Sequence, residues 1–181
     1  MSHHPPSLGR RALLLALAVT LTLGLMAATA AAHVEIDPES AEGGTTTQVV
    51  FSPLNEESDA GTVKVLVQFP RDYPIASAVA QADAIWTPTV KTRKLGKAIL
   101  GPDGKTKTAV DHIIWEGGPS PTQGSFDLPA FTIGPLPTNA KRLYFKILQT
   151  YANGHVDKWI QLPARGAPDP EFGAPVLKIT K

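Results

Sequence analysis

Short segments of β-branched and aromatic residues run from position 33 to the end of the chain, divided by Pro, Gly or Asn. No segment there shows sustained helical periodicity. The chain's 17 prolines also argue against long helices, because a proline inside a helix removes a hydrogen bond and clashes with the preceding turn. Many short strands at regular spacing, with turn signals between them, predict an all-β Greek-key sandwich of the cupredoxin or immunoglobulin type. The candidate strands cover residues 34–37, 45–52, 62–69, 76–80, 86–94, 110–116, 125–133, 141–151, 155–162 and 176–180.

The first 32 residues have a different character. Arg10 and Arg11 are followed by a long apolar run that ends in small residues, the order typical of a cleavable secretory signal peptide. We expect residues 1–32 to be the signal peptide, cut between Ala32 and His33, and residues 33–181 to be one exported domain. At about 20 residues the apolar run is also long enough for an uncleaved membrane anchor. A cut one or two residues earlier would leave His33 internal.

Composition narrows what the exported domain can do. The chain has 17 Lys and Arg against 16 Asp and Glu, and Arg10 and Arg11 leave with the leader, so nothing favours nucleic acid as a partner. No second apolar stretch after residue 32 approaches membrane length, so no stable membrane anchor is expected after cleavage. Cysteine is absent, and Met1 and Met26 both precede the cut. Only nitrogen and oxygen ligands then remain for a metal.

Cleavage would make His33 the first residue of the mature chain. A first-position histidine carries a free α-amine and an imidazole, and these two nitrogens can close one chelate ring around a metal ion. Proteolysis, and not folding alone, would therefore create a metal-binding group.

The dipeptide Asn153-Gly154 between two β-rich runs predicts a hairpin, since a type I′ turn needs positive φ at both central residues. Pairing outward from a two-residue turn sets Ile147 against Ile160 and Leu148 against Trp159. One face then belongs to the core, and the other is polar. The members of the core face are Phe145, Ile147, Tyr151, Val156, Ile160 and Leu162, and those of the polar face are Lys146, Thr150, His155, Asp157, Trp159 and Gln161.

Trp159 is informative because an indole is unusual among polar neighbours. Trp159 either forms the wall of a surface site, or it covers Leu148 or packs under a loop. Trp115 shares a face with Ile113 and is expected in the core. The lysine-rich stretch from 94 to 108 is interpreted as a polar excursion between two strands.

Seven stretches, spread over nearly the whole of residues 33–181, resemble the YcnI family of exported copper-binding domains. They are residues 33–40 (HVEIDPES), 51–56 (FSPLNE), 67–70 (VQFP), 114–118 (IWEGG), 133–137 (IGPLP), 145–151 (FKILQTY) and 154–160 (GHVDKWI). The resemblance implies a cupredoxin-like sandwich that binds Cu(II) through a single-histidine brace, in which the amine and ring nitrogen of the first residue bind the metal.

Carried over position by position, the resemblance makes His33 the brace, Glu56 the carboxylate and Trp159 the nearby aromatic residue. The family pattern before Asn-Glu is Phe-x-Val-Pro, whereas here Pro53 precedes Leu54, and this leaves Glu57 as an alternative to Glu56. Many relatives also have a carboxy-terminal membrane helix that this chain lacks, which implies a free periplasmic or secreted form.

The proposed ligands suit a tetragonal Cu(II) ion. Glu35 is a local alternative carboxylate, because it lies two residues from His33 on the same strand face. Trp159 is expected to donate a hydrogen bond to Glu56 or to a bound water, or to lay its ring against the ion, since its nitrogen is only a donor. His112 and His155 are better explained as structural or solvated residues than as metal ligands.

No nucleophile motif, acid/base pair or phosphate loop stands out, so binding is favoured over catalysis. The first hypothesis is a copper carrier or scavenger in copper homeostasis, with other copper-trafficking proteins as partners. One alternative is a copper-dependent oxidative enzyme like the polysaccharide mono-oxygenases, which would need His112 or His155 to reach His33. Another is a structural or adhesion β-sandwich without metal.

Overall fold

A computed structural model describes residues 34–120 and 124–181. His33, the leader and the cleavage site lie outside these residues. The described residues form strands and loops, and no helix is found among them. The strands are β1 (Glu35–Asp37), β2 (Ser40–Glu42), β3 (Thr47–Ser52), β4 (Leu54–Asn55), β5 (Thr62–Gln68), β6 (Ser77–Ala80), β7 (Trp86–Gly101), β8 (Gly104–Gly117), β9 (Gly124–Ser125), β10 (Phe131–Gly134), β11 (Arg142–Tyr144), β12 (Lys146–Tyr151), β13 (Val156–Trp159) and β14 (Val176–Thr180).

Two sheets make the faces of a sandwich. One has four strands in the order β1-β3-β10-β6, and the other has five in the order β13-β12-β5-β8-β7. A three-stranded sheet, β11-β14-β2, contributes buried Leu143 and Leu177 to the same core, and β4 pairs with β9. Only the β14-β2 pair of strands is parallel within the described part of the chain. The all-β sandwich expected from the sequence is confirmed.

Aromatic rings join the two main sheets. Phe131 stacks on Phe51 in the four-stranded sheet at a centroid distance of 5.5 Å and meets Trp115 of β8 at 5.5 Å. Phe69, just after β5, packs edge-on against Phe145 at 5.3 Å and lies 6.3 Å from Phe131. Trp115 is fully buried, as expected from the strand face that it shares with Ile113.

The strand predictions fail mainly where the chain changes sheets. The predicted strand 141–151 is broken at Phe145, so that β11 pairs with β14 while β12 pairs with β5 and β13. The lysine-rich stretch 94–108 is not an excursion, because it extends β7 and β8 into one long hairpin that closes at Gly101 and Gly104. The short strands β2 and β4 carry too few residues to show a periodic pattern.

The predicted register of the β12-β13 hairpin is wrong by one residue. Asn153 does not have positive φ, whereas Gly154 has φ 87°, and the Tyr151 N–H donates to the His155 carbonyl at 3.0 Å. The loop therefore has three residues and ends in a left-handed glycine, in place of a two-residue type I′ turn. Ile147 consequently pairs with Trp159.

A slip of one residue moves each side chain of a strand to the opposite face. Trp159 is therefore fully buried beside Ile147 and does not lie on a solvent-facing polar surface. Ile160 and Leu162, assigned to the core from the sequence, are 37% and 53% exposed. No helix within residues 34–120 and 124–181 could span a membrane.

Candidate metal centre

The segment between β4 and β5 presents two consecutive glutamates. Asn55 is buried, and its side-chain amide donates to the Ala60 carbonyl at 3.1 Å. Its Oδ1 accepts a hydrogen bond from the Glu57 backbone N–H at 3.0 Å, so the asparagine closes a tight turn around Glu56. The turn fixes the backbone of this segment and leaves the Glu56 side chain exposed.

Glu56 lies among other carboxylates. Partial burial raises the pKa of Glu56, and the nearby charges of Asp157 and Glu171 raise it further. Asp157, on β13, accepts a hydrogen bond from the Tyr151 hydroxyl at 2.6 Å. Burial is the largest cause that raises the pKa of Tyr151, and the hydrogen bond to Asp157 raises it further. A hydrogen bond from the Glu56 backbone to the phenol partly opposes this increase. Glu56, Asp157 and Glu171 are called the carboxylate cluster below.

Glu57 has a different environment from Glu56. One of its oxygens lies 2.8 Å from His155 Nδ1, and the other accepts from the Asn153 amide at 3.3 Å. The His155 ring also stacks on Tyr151, with centroids 5.8 Å apart. Glu57 and His155 therefore hold the β12-β13 loop against the β4-β5 segment.

Trp159 supports the site from inside the core. Its Nε1 donates to Gln149 Oε1 at 3.2 Å, so the expected hydrogen bond to Glu56 is not formed. Gln149 in turn donates to the Leu54 carbonyl at 3.1 Å and to Thr62 Oγ1 at 2.8 Å. Because both Gln149 and Trp159 are fully buried, this chain of hydrogen bonds ties the strand before Glu56 to β12 and β13.

The Trp159 ring also contacts Phe172, at a centroid distance of 5.3 Å. Gln161 exchanges backbone hydrogen bonds with Phe172 and Ala174, which fixes the segment carrying Glu171 beside the end of β13. Glu171 has no periodic signal because it lies in a loop. Asp157 could have been suspected from its place on the Trp159 strand face, two residues away.

The first described residue, Val34, is 4% exposed. The next residue, Glu35, pairs with Ser52 at the end of β3, from which the chain passes through β4 to Glu56. The point where His33 is attached therefore lies at the end of β3 that leads to the carboxylate cluster. The Glu35 side chain is exposed.

The other histidine considered as a ligand is His112 on β8. Its Nδ1 lies 2.8 Å from Asp111, and its strand position is opposite Gln68. Among the residues that the structure describes, no three His, Cys, Asp or Glu side chains are grouped closely enough to hold a metal ion. A metal centre at Glu56 would therefore need a ligand from outside those residues.

Comparisons with known proteins identify a family and a fold. The sequence profile of a family described as "Domain of unknown function (DUF1775)" matches residues 33–179. The chain is similar to the crystal structure of an uncharacterized protein from Nocardia farcinica with an immunoglobulin-like fold. The two share 27% identity with a TM-score of 0.64, over 82% of this chain and 99% of that one.

Two further solved structures match with lower TM-scores. A cohesin module from a Clostridium perfringens family 33 glycoside hydrolase shares 12% identity over 82% of this chain and 90% of that one, with a TM-score of 0.39. A putative membrane anchored protein from Corynebacterium diphtheriae shares 12% identity over 78% of this chain and 32% of that one, with a TM-score of 0.34. A search of curated proteins gives no match.

Proposed function

The chain belongs to the DUF1775 family, and on that premise we propose that residues 33–181 form an exported Cu(II)-binding protein. The observation that carries the proposal is the carboxylate cluster, in which the charges of Asp157 and Glu171 raise the pKa of Glu56. Three carboxylates repel one another unless a proton or a cation lies among them. The attachment point of His33 lies at the same end of β3.

The donor set fits Cu(II). A mature chain that begins at His33 offers an amine and an imidazole, and Glu56 adds an oxygen, which together make a nitrogen and oxygen set that suits a tetragonal ion. The amine has an ordinary pKa of about 7.7–8.0, so copper displaces a proton when it binds and its affinity falls as pH decreases. Glu56 is preferred over Glu57 because Glu57 already binds His155 and Asn153.

Trp159 acts in this proposal as a positioning residue and not as a ligand. Its indole N–H orients Gln149, and Gln149 holds the Leu54 carbonyl just before Glu56. A role as carrier or scavenger, in the periplasm or outside the cell, is supported by the signal peptide that the sequence predicts at residues 1–32. Other copper-trafficking proteins would deliver or receive the ion.

The brace is tested by amino-terminal sequencing of the secreted protein and Cu(II) titration of the mature form. The control is a variant with one glycine added before His33. We expect the extension to weaken Cu(II) binding at least tenfold and to change the Cu(II) electron paramagnetic resonance spectrum. Equal affinity in the two forms would contradict the brace and favour a sandwich without a functional metal.

The carboxylate is tested separately with Glu56→Gln and its neighbour Glu57→Gln. We expect Glu56→Gln to weaken Cu(II) binding and to alter the spectrum, while Glu57→Gln retains both. The reverse result would move the ligand to Glu57. No effect of either change would leave Glu35→Gln as the remaining test.

A further inference from the structure

A second feature lies at the other end of β12 from the carboxylate cluster. It is a groove of about 1260 Å³ between the segment that follows β5, strand β11 and strand β14. Lys146, the first residue of β12, lines this groove, whereas Tyr151, the last residue of β12, binds Asp157. This groove is called the basic groove because lysine and arginine side chains line its wall.

Cations outnumber anions in the lining of the basic groove. Lys141, Arg142, Lys146 and Lys178 all line it with exposed side chains, and Asp72 is the one acidic side chain in its wall among the described residues. Within the described part of the chain, the side chains of Lys141, Arg142 and Lys146 form no ion pair or hydrogen bond. Their charges are therefore available to a ligand.

Two of these cations face each other directly. Arg142 of β11 pairs with Lys178 of β14 in the antiparallel ladder, and like charges at such positions destabilise a sheet. Glu39 offsets part of this repulsion through an ion pair of 3.0 Å with Lys178. The Arg142 guanidinium keeps its five donors, in the planar fork that matches a carboxylate or phosphate.

The groove also has aromatic walls. Tyr73 and Tyr144 line it, both partly buried, and neither phenol has a hydrogen-bond partner in residues 34–120 and 124–181. Tyrosine offers a flat apolar face together with a polar hydroxyl. Such residues suit a ligand that has both ring faces and hydroxyl groups.

We propose that the basic groove binds a linear polysaccharide that carries anionic groups. The cations match carboxylate or phosphate oxygens, and the tyrosines match sugar rings. The volume exceeds the usual 300–1000 Å³ or so of a small-molecule pocket, which favours a stretch of polymer over a single sugar. A concave groove admits a chain, whereas a flat bilayer surface cannot enter it. This site is independent of the proposed copper function.

The test measures binding of polygalacturonate and of phosphorylated dextran of similar length to the intact protein by titration calorimetry at low ionic strength. We expect binding of at least one polymer that weakens as salt is added, and no binding of neutral dextran. Comparison of the two polymers identifies the preferred anionic group. The variant Arg142→Ala/Lys146→Ala should weaken binding about tenfold, since it removes two exposed ionic contacts, each of which contributes modestly to affinity.

The matched control is Lys97→Ala/Lys105→Ala, which removes the same charge from exposed positions on the β7-β8 hairpin. It should bind the polymer as the parent protein does, and circular dichroism should show all three proteins folded. Failure of both polymers to bind, equal losses in the two double variants, or binding of anionic vesicles without binding of polymer would each overturn the proposal. Stronger binding of galacturonate monomer than of polymer would also overturn it.

Discussion

At the scale of single residues, Gln149 connects the core to the candidate metal centre. Its amide accepts from Trp159 and donates to the Leu54 carbonyl and to Thr62, all in the interior. A buried polar group costs free energy when its partner is removed, because it can no longer bond to water. Gln149 therefore helps to hold Leu54, and with it the segment that carries Glu56, together with the pairing of β4 and β9.

We predict that Gln149→Leu lowers the free energy of unfolding by about 2–4 kcal/mol, because it leaves the Trp159 N–H and the Leu54 carbonyl without partners. Urea denaturation measures the change. The loss should be smaller in a Trp159→Phe background, where the indole donor is already absent. An equal loss in both backgrounds would mean that the indole hydrogen bond contributes nothing.

Glu56 gives a prediction with a defined pH dependence. Its pKa in the folded protein is raised above the ordinary value of 4.5, so the folded state holds the proton more tightly than the unfolded chain does. The stabilisation from the protonated form is complete below the unfolded pKa and is lost as pH rises through the folded pKa. Ionised Glu56 therefore destabilises the metal-free protein at neutral pH.

Glu56→Gln should accordingly stabilise the metal-free protein at pH 7, by less than about 1 kcal/mol because Glu56 is solvent-exposed and its charge is screened. The gain should disappear as pH falls below the usual pKa of the carboxyl group. Thermal melts at several pH values provide the measurement, with Glu57→Gln as the comparison. A gain that persists at low pH would exclude the charge repulsion as its source.

At the scale of elements, the β12-β13 loop determines which residues face the core. Gly154 has φ 87°, and a Cβ added there would meet no atom within 4 Å, so only backbone conformation opposes a larger residue. We predict that Gly154→Ala costs about 1 kcal/mol, since a left-handed conformation is unfavourable for alanine. Gly96, on β7, is also free of close atoms but has no left-handed φ, so Gly96→Ala should not destabilise the protein. Equal effects in chemical denaturation would contradict this explanation.

The same loop shows what sequence patterns can and cannot provide. Alternation along residues 145–151 identified Phe145, Ile147 and Tyr151 as buried, and all three are. The register of the opposite strand depended on whether the turn has two or three residues, which the dipeptide Asn153-Gly154 does not determine. The sequence pattern therefore places Trp159 on the wrong face.

At the scale of the whole molecule, the even spacing of strands and turns predicted the sandwich but not its division into sheets. The break at Phe145 transfers the chain from one sheet to another, and no change in hydrophobic pattern marks it. In the candidate site, the family resemblance points to Glu56, whereas no sequence pattern points to Glu171, which lies in a loop distant in sequence. Contacts between segments far apart in sequence depend on the complete fold.

Phe131 joins both faces of the sandwich, so its removal tests the core as a whole. We predict that Phe131→Ala lowers the free energy of unfolding by about 3–5 kcal/mol, because a cavity opens between Phe51, Phe69 and Trp115. Val79 lies on the adjacent strand and is 65% exposed, so Val79→Ala should change stability by no more than about 0.5 kcal/mol. Similar losses in the two variants would show that the rings do not join the sheets energetically.

Strand β12 separates charges of opposite sign. Its first residue, Lys146, borders the basic groove, and its last, Tyr151, contacts Asp157, about 17 Å away at strand spacing. The side chains at the two ends of β12 therefore have charges of opposite sign nearby, although the formal net charge of the chain is only +1. In the field of a negatively charged surface, such an arrangement favours the orientation in which Lys146 is nearer to the surface. The lysine end then faces the surface, and the carboxylates face outward, toward arriving cations.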